Sequence, residues 1–544
     1  MDYYDLGSYG RQVTTSSPTA QLWFDRGLVW TYAYNHEEAV VCFQRAVEAD
    51  PDCGMAYWGI AYGIGPNYNK QWTDFEDDEK PDALAQALGA IEQANRCADQ
   101  TTPAERALIE AIAQRYPQDA TIEDFGPWND AYADAMRAVY NAHPGDLDIS
   151  CLLAEAIMNR TPWQLWHLPS GQPAEGADTV EAITVLENAF DNLDGAWQHP
   201  GLLHMYIHLM EMSPHPERAL RQGDRLSTLV PEAGHLLHMA THIDVLCGDY
   251  QNVVSRNHAA TIADRKFLER AGAENFYSLY RCHNYHFKIY GAMFLGQPGP
   301  ALEAADELVA NLPETILRPM ADWLEAFIPM KQHVLIRFGR WHDILAQDLP
   351  EDSELYCMTT AMMRYARTVA LANTGKPAEA ERDQFLAARD RVPESRMLFN
   401  NTCHDILQIA ENMLLGEMDY HQGDHEAAFE RLRRSVELDD NLPYDEPWGW
   451  MQPARHALGA LLLEQGHFEE AEAVYRADLG LDATLSRACQ HPGNVWSLHG
   501  LHECLVQRGE TIEARQVKLL LDKAVARADV PIKASCFCRH RAAA

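Results

Sequence analysis

Along nearly the whole chain, apolar residues recur at intervals of three and four in runs of roughly 13 to 18 residues, and each run stops at Gly or Pro. That period buries one face of a helix and wets the other. Alternating strand-like runs and Asn-Gly hairpin signals are not found, so the pattern predicts an all-α chain of amphipathic helices joined by short turns. Three stretches break it, at 65–81 (GPNYNKQWTDFEDDEKP), 160–178 (RTPWQLWHLPSGQPAEGAD) and 441–453 (NLPYDEPWGWMQP). Each holds Trp, Pro and acidic residues, a composition that suits either lids folded over a site or insertions packed into the core.

The helical runs also repeat. Trp23, Gly27, Trp30, Ala39, Phe43, Ala46 and Pro51 follow in order the tetratricopeptide pattern, in which small residues let two antiparallel helices touch and a proline closes the second. Trp58 and Gly59 open another unit, Gly423 with Ala428 marks a later one, and Gly459 with Ala471 and Tyr475 the next. Over most of its length the chain resembles the tetratricopeptide superfamily. The resemblance implies one right-handed solenoid of antiparallel helix pairs over 1–544, with first units at 20–66, a histidine-rich part at 147–313, late units at 411–525 and a cysteine-containing tail at 530–544. First helices of such units line a concave face, across which the three interruptions would lie.

Seven histidines fall into three helix-spaced clusters: His204 and His208; His235, His238 and His242; His283 and His286. On a helix of 3.6 residues per turn, His204, His208 and Glu211 lie within about 60° of one another, as do His235, His238 and His242. Ala219 and Pro231, Gly248 and Ala260, and Gly296, Ala301 and Pro313 set the repeat register here, with units beginning at Pro200, Gly234 and Cys282. The family pattern turns the second, fifth, ninth and twelfth residues of a first helix inward. Those slots hold all seven histidines together with Glu211 and Tyr290; Glu155 takes a ninth slot in the preceding unit, and His456 a fifth slot near Gly459. A narrower resemblance covers HPGLLHMYIHLMEMSPHPERAL at 199–220, GHLLHMATHIDVLCGDY at 234–250, RCHNYHF at 281–287 and CGMAYWGIAYGIGPNYN at 53–69. They are similar to a tetratricopeptide group whose forms read HYYIHxxExSxxPxxAL and GHLxHMPxHI, with Met205 here in place of an aromatic and Ala240 in place of proline. The group carries no assigned activity.

The chemistry must come from the side chains. Imidazole binds Zn, Cu, Fe and Ni, and two histidines four apart on a helix present two nitrogens to one ion. Seven exceed the three or four ligands of a tetrahedral site, so the set suggests two ions, or one ion with an outer shell. The set of four glutamates and two histidines on Glu-x-x-His helices that carboxylate-rich di-iron bundles use is missing. An imidazole-dominated shell favours copper, with iron or zinc possible, and Glu155, Glu211 and Tyr290 are candidate catalytic groups. His456, His499 and His502, and Cys536 and Cys538 in the tail ASCFCRH with His540, stand as a second tier; His199, His215, His258, His421, His467 and His491 are read as packing residues.

Charge narrows the partners. A net charge of −36 and a pI near 5.0 over 544 residues leave no basic face for nucleic acid or an anionic membrane. No apolar run reaches the roughly 18 residues of a membrane span, and MDYYDLGSYGRQ lacks the features of a signal peptide, so cytoplasmic residence is expected. Twelve thinly spread cysteines form no disulfide framework. GxxxxGK[ST], GxSxG and a strand-linked GxGxxG are absent. The sequence thus points to a metal-dependent enzyme, oxidative on a small molecule with dioxygen. Alternatives are a tetratricopeptide scaffold holding a peptide or protein partner, disfavoured because clamping grooves present Lys, Arg and Asn inward, and a zinc hydrolase or lyase.

Overall fold

A computed structural model describes residues 3–118 and 120–539. Consecutive helices pack against one another in pairs, and the chain divides into two compact units. The first comprises Met1–Ile243, Ile262–Lys266 and Asn275–Tyr277, and the second the remainder.

In the first unit the opening pair is Pro18–Tyr32 and His36–Ala49. Ser17 caps the first helix by accepting the Ala20 N–H, and Pro18 enters its first turn, where no amide bond is lost. The second is capped by Asn35, and Glu37 and Glu38 sit in its first turn, where the helix dipole favours negative charge. The turn between them holds Tyr34 in the left-handed region at φ +53°. Phe43 then fills the space left by two glycines: a Cβ on Gly27 or on Gly59, in the next helix Gly54–Ile64, would come within 2.7 or 2.6 Å of its ring. One aromatic side chain therefore locks three consecutive helices, which is the physical content of the small-residue pattern. Tyr475 is used the same way in the second unit, between Gly459 and Gly500.

The helices that carry the candidate ligands are buried on every side. Leu147–Met158 and Pro200–Glu211 have no exposed residue, which explains why their sequences lack a polar stripe. His199 caps the second of these: its Nδ1 accepts the Leu202 N–H at 3.1 Å while Nε2 meets Asp148 at 3.2 Å. The helix Gly234–Leu246 starts at its expected residue, whereas the one carrying Cys282 runs Tyr277–Leu295 and begins five residues earlier. Two-residue antiparallel pairs, Trp166–His167 with Gln172–Pro173 and Met397–Leu398 with Asn401–Thr402, were not expected from a purely helical pattern. The first pair closes the 160–178 interruption as a hairpin around Gly171, at φ +64°. No described helix is long and apolar enough to cross a membrane.

The shared Phe43 makes a direct check. Gly59→Leu puts a branched side chain where the ring stands, and overpacking of this kind costs about 1–3 kcal/mol. The urea midpoint of the variant is expected to fall accordingly while its helical circular dichroism persists; an unchanged midpoint would show that the glycine is not required for the packing.

Candidate metal centre

Five of the seven histidines belong to the first unit. His204 and His208 come from the helix Pro200–Glu211, and His235, His238 and His242 from Gly234–Leu246; all five are at most 1% exposed. Ring centroids are 4.7 Å apart for His204 and His208, 5.0 Å for His204 and His235, and 4.6 Å for His238 and His242. The ligand atoms of His204, His208 and His235 lie within 4.8 Å of one another, and so do those of His208, Glu211 and His242.

The hydrogen bonds decide which nitrogen of each ring carries the proton. His204 places Nδ1 at 2.7 Å from the Tyr32 carbonyl, an oxygen that only accepts, so Nδ1 holds the proton and Nε2 the lone pair. Glu211 reaches two rings at once, with Oε1 at 2.9 Å from His208 Nδ1 and Oε2 at 2.9 Å from His242 Nδ1. Thr241 spends its hydroxyl proton on the His238 carbonyl at 2.7 Å, leaving its oxygen to accept from His238 Nδ1 at 3.3 Å. Four Nε2 lone pairs are thereby aimed inward, with their rings oriented by backbone, carboxylate and hydroxyl in the manner of metal-binding histidines. Nε2 of His204 and of His208 is buried without a hydrogen-bond partner. His238 and His242 bring their Nε2 atoms to 2.6 Å, and two lone pairs at that separation repel unless a cation or a shared proton lies between them. Burial pushes the His204 imidazolium pKa down to about 3 and that of His208 well below its usual value, helped by the neighbouring rings, so both stay in the ligating neutral form.

Aromatic side chains close over this cluster. The Tyr34 ring lies 4.6 Å from His204, 5.9 Å from His208 and 5.8 Å from His235, and its hydroxyl meets Met205 Sδ at 3.4 Å. The 65–81 interruption contributes Tyr68, 5.0 Å from His208, and the 160–178 interruption contributes Trp163, 5.8 Å from the same ring. The Trp163 N–H donates to the Tyr68 hydroxyl at 3.1 Å, which ties the two segments together above the histidine. Both interruptions in this unit therefore cover the cluster. Sequence reasoning named the segments but not these residues; the signal was their Tyr and Trp content.

The remaining candidate residues are placed as follows. Glu155, 3% exposed, takes a short hydrogen bond from Tyr62, and burial raises its carboxyl pKa; it is not among the grouped ligand atoms. His283 and His286 belong to the second unit. There His283 packs on Phe287 and Phe399, and His286 puts Nε2 2.8 Å from Met451 Sδ. Tyr290 is 2.9 Å from His491 Nε2, whose Nδ1 is 2.9 Å from Asp478. His456 has both nitrogens engaged, by the Arg337 guanidinium at 2.7 Å and Asp478 at 3.0 Å, which makes it a structural group. His499 and His502 are half-buried on Val495–Arg508, Cys536 and Cys538 are buried, and His540 lies outside the described residues.

No family model and no curated protein matches the chain. Among solved structures it is similar to the crystal structure of the APC/C hetero-tetramer Cut9-Hcn1, at 13% identity over 93% of this chain and 76% of that one, with a TM-score of 0.32. It is similar to the human IFIT1 dimer with m7Gppp-AAAA at 10% identity, over 94% and 92% of the two chains, with a TM-score of 0.34. For the TPR domain of P58(IPK) the values are 14%, 77%, 98% and 0.17.

Neutral buried imidazoles set the acid stability of the metal-free chain. His204, His286 and His333 have folded pKa values of about 3 against 6.5 in the open chain, so between those pH values the unfolded state binds protons that the folded state does not. Their contribution is intact above pH 6.5 and lost as pH falls toward 3, at about 1.4 kcal/mol per pH unit for each group. In chelator, the urea midpoint is expected to drop steeply from pH 7 to pH 5, and less steeply in His204→Gln. Equal midpoints at both pH values would mean that the rings are already charged in the fold.

Proposed function

We propose that the first unit is a metal-dependent catalytic centre in which His204, His208 and His235 hold one transition-metal ion, with His238 and His242 supplying a second position. The observation that carries this reading is the set of Nδ1 anchors, since Tyr32, Glu211 and Thr241 leave the Nε2 lone pairs converging in a buried space. Glu211 acts as a positioning residue: it fixes two rings through one carboxylate and balances part of the positive charge the site would take. An all-nitrogen inner set suits copper, with iron or zinc possible; copper would supply one-electron steps toward dioxygen, whereas zinc would supply Lewis-acid chemistry.

The chain offers a route for a small substrate. A pocket of about 390 Å³ in the same unit is lined by Tyr34, His36, Asn67, Lys70, Phe75 and Phe276, among others. Tyr34 belongs both to this pocket and to the wall of the histidine cluster. A substrate group entering this pocket would meet Tyr34 on its way to the imidazoles. A peptide-holding scaffold is the competing reading. The near-complete burial of the five inward histidines disfavours it, because a peptide groove leaves its inward slots accessible.

Protein prepared without a histidine tag is expected to contain about one to two transition-metal ions per chain. His208→Ala should lose metal, and Glu211→Gln should weaken its affinity about 10- to 100-fold, each with its helical signal preserved. Elemental analysis after equilibration with copper, zinc and iron in turn measures this, and a chain that stays metal-free throughout sinks the reading in favour of a scaffold. Reconstitution with each metal, with ascorbate and candidate substrates, then separates the chemistries. Dioxygen uptake supports the oxidative reaction; turnover with zinc alone, without dioxygen consumption, replaces it with a hydrolase or lyase.

A further inference from the structure

The last described residues of the second unit form a plug with its own chemistry. Ser535, Cys536 and Cys538 are buried. The Ser535 hydroxyl donates to the His456 carbonyl at 2.8 Å and meets the Tyr475 hydroxyl at 2.6 Å, while its own carbonyl accepts from the buried Arg337 guanidinium at 2.7 Å. Phe537 packs flat on the backbone of Gly339, where φ is +61° and a Cβ would come within 2.8 Å of the ring. Arg539 closes the segment with a two-pronged ion pair to Glu503, both bonds 2.8 Å. A loose terminus has no use for four separate anchors.

What these anchors bring together is a donor set. The Sγ atoms of Cys536 and Cys538 and a carboxylate oxygen of Glu417, on the helix Cys403–Gln422, lie within 4.8 Å of one another, all three residues buried. Glu417 is 1% exposed and accepts from Asn373 Nδ2 at 2.7 Å, and burial raises its pKa to about 7. A carboxyl and two sulfurs are a poor choice for filling an apolar core, because each becomes negative on ionising and desolvation opposes that; for Glu417 the buried Arg337 guanidinium offsets it only in part. In this structure the two Sγ atoms are bonded to each other.

We propose that, once this bond is reduced, Cys536, Cys538 and Glu417 form a thiolate–carboxylate site for a thiophilic divalent cation of the zinc class, separate from the histidine centre. A dithiol reductant delivers two electrons and two protons, becoming a disulfide itself; the Cys536–Cys538 bond breaks and each sulfur leaves as a thiol. Binding the cation releases those two protons and uses one lone pair from each sulfur with one carboxylate oxygen, the soft-plus-oxygen set that zinc accepts in tetrahedral sites. Disulfide and metal are then alternative ways of closing the plug.

The test uses the full-length His208→Ala chain, in which the His204–His208–His235 position is disabled, and compares its oxidised and reduced forms, so its failure is distinguishable from failure of the proposed function. Reduced with a phosphine and titrated with zinc, this protein is expected to bind about one more equivalent than its oxidised form. That equivalent should disappear with Cys536→Ser and Cys538→Ser, and Glu417→Gln should weaken it at least about tenfold. Cobalt in place of zinc should give the intense sulfur-to-metal charge-transfer band in the reduced chain only. Because oxidised and reduced forms share one polypeptide, the comparison holds even if a substitution disturbs folding. Equal zinc uptake by the two forms, or cobalt binding without the sulfur band, overturns the proposal.

Discussion

One carboxylate organises the first unit. Glu211 accepts a proton-bearing Nδ1 from His208 within its own helix and another from His242 in the next ligand-bearing helix, both at 2.9 Å and both fully out of solvent. A buried carboxylate without such partners would be costly, and two imidazoles without it would be free to choose either tautomer. With it, the helices Pro200–Glu211 and Gly234–Leu246 are held in fixed register, and the nitrogens that face one another are all acceptors. The same choice turns Nε2 of His242 toward Nε2 of His238, 2.6 Å away.

Strain gathers around the same rings. Tyr34, Trp163 and Phe399 are the non-glycine residues with positive φ in the described chain, at +53°, +57° and +49°. All three are aromatic and all three lie against inward histidines: Tyr34 on His204, Trp163 on His208 and Phe399 on His283. A bulky residue in this conformation costs about 1–3 kcal/mol and persists only where its surroundings overdetermine it. The backbone is bent so that an aromatic face meets an imidazole, in the first unit and again in the second.

The helix pairs were legible in the sequence because their cause is local and periodic: a glycine opposite Phe43, a proline after the second helix, three-and-four spacing throughout. That His204 and His208 share one helix face, and His235, His238 and His242 another, was legible for the same reason, since a helix face is fixed by spacing alone. What could not be read was partnership. Nothing in the spacing of His456 announces Arg337, 119 residues away, and nothing about Tyr290 announces His491, 201 residues away. The bridge that Glu211 makes between two rings depends on a contact 31 residues distant, and Tyr68 and Trp163 sit in irregular segments whose course no period dictates.

The hydrogen bond from the Trp163 amide to the Tyr68 hydroxyl has a kinetic meaning. It joins two segments separated by 95 residues directly above His208, so the imidazoles are roofed by a contact that forms only after distant parts of the chain have met. Closing a loop over such a separation costs more chain entropy than a local contact does. An ion or molecule bound by these histidines would then have two ways past this roof. It arrives while the roof is still open, during folding, or it waits for the roof to lift, in which case the speed of uptake is set by the opening of the protein and not by the concentration of the visitor.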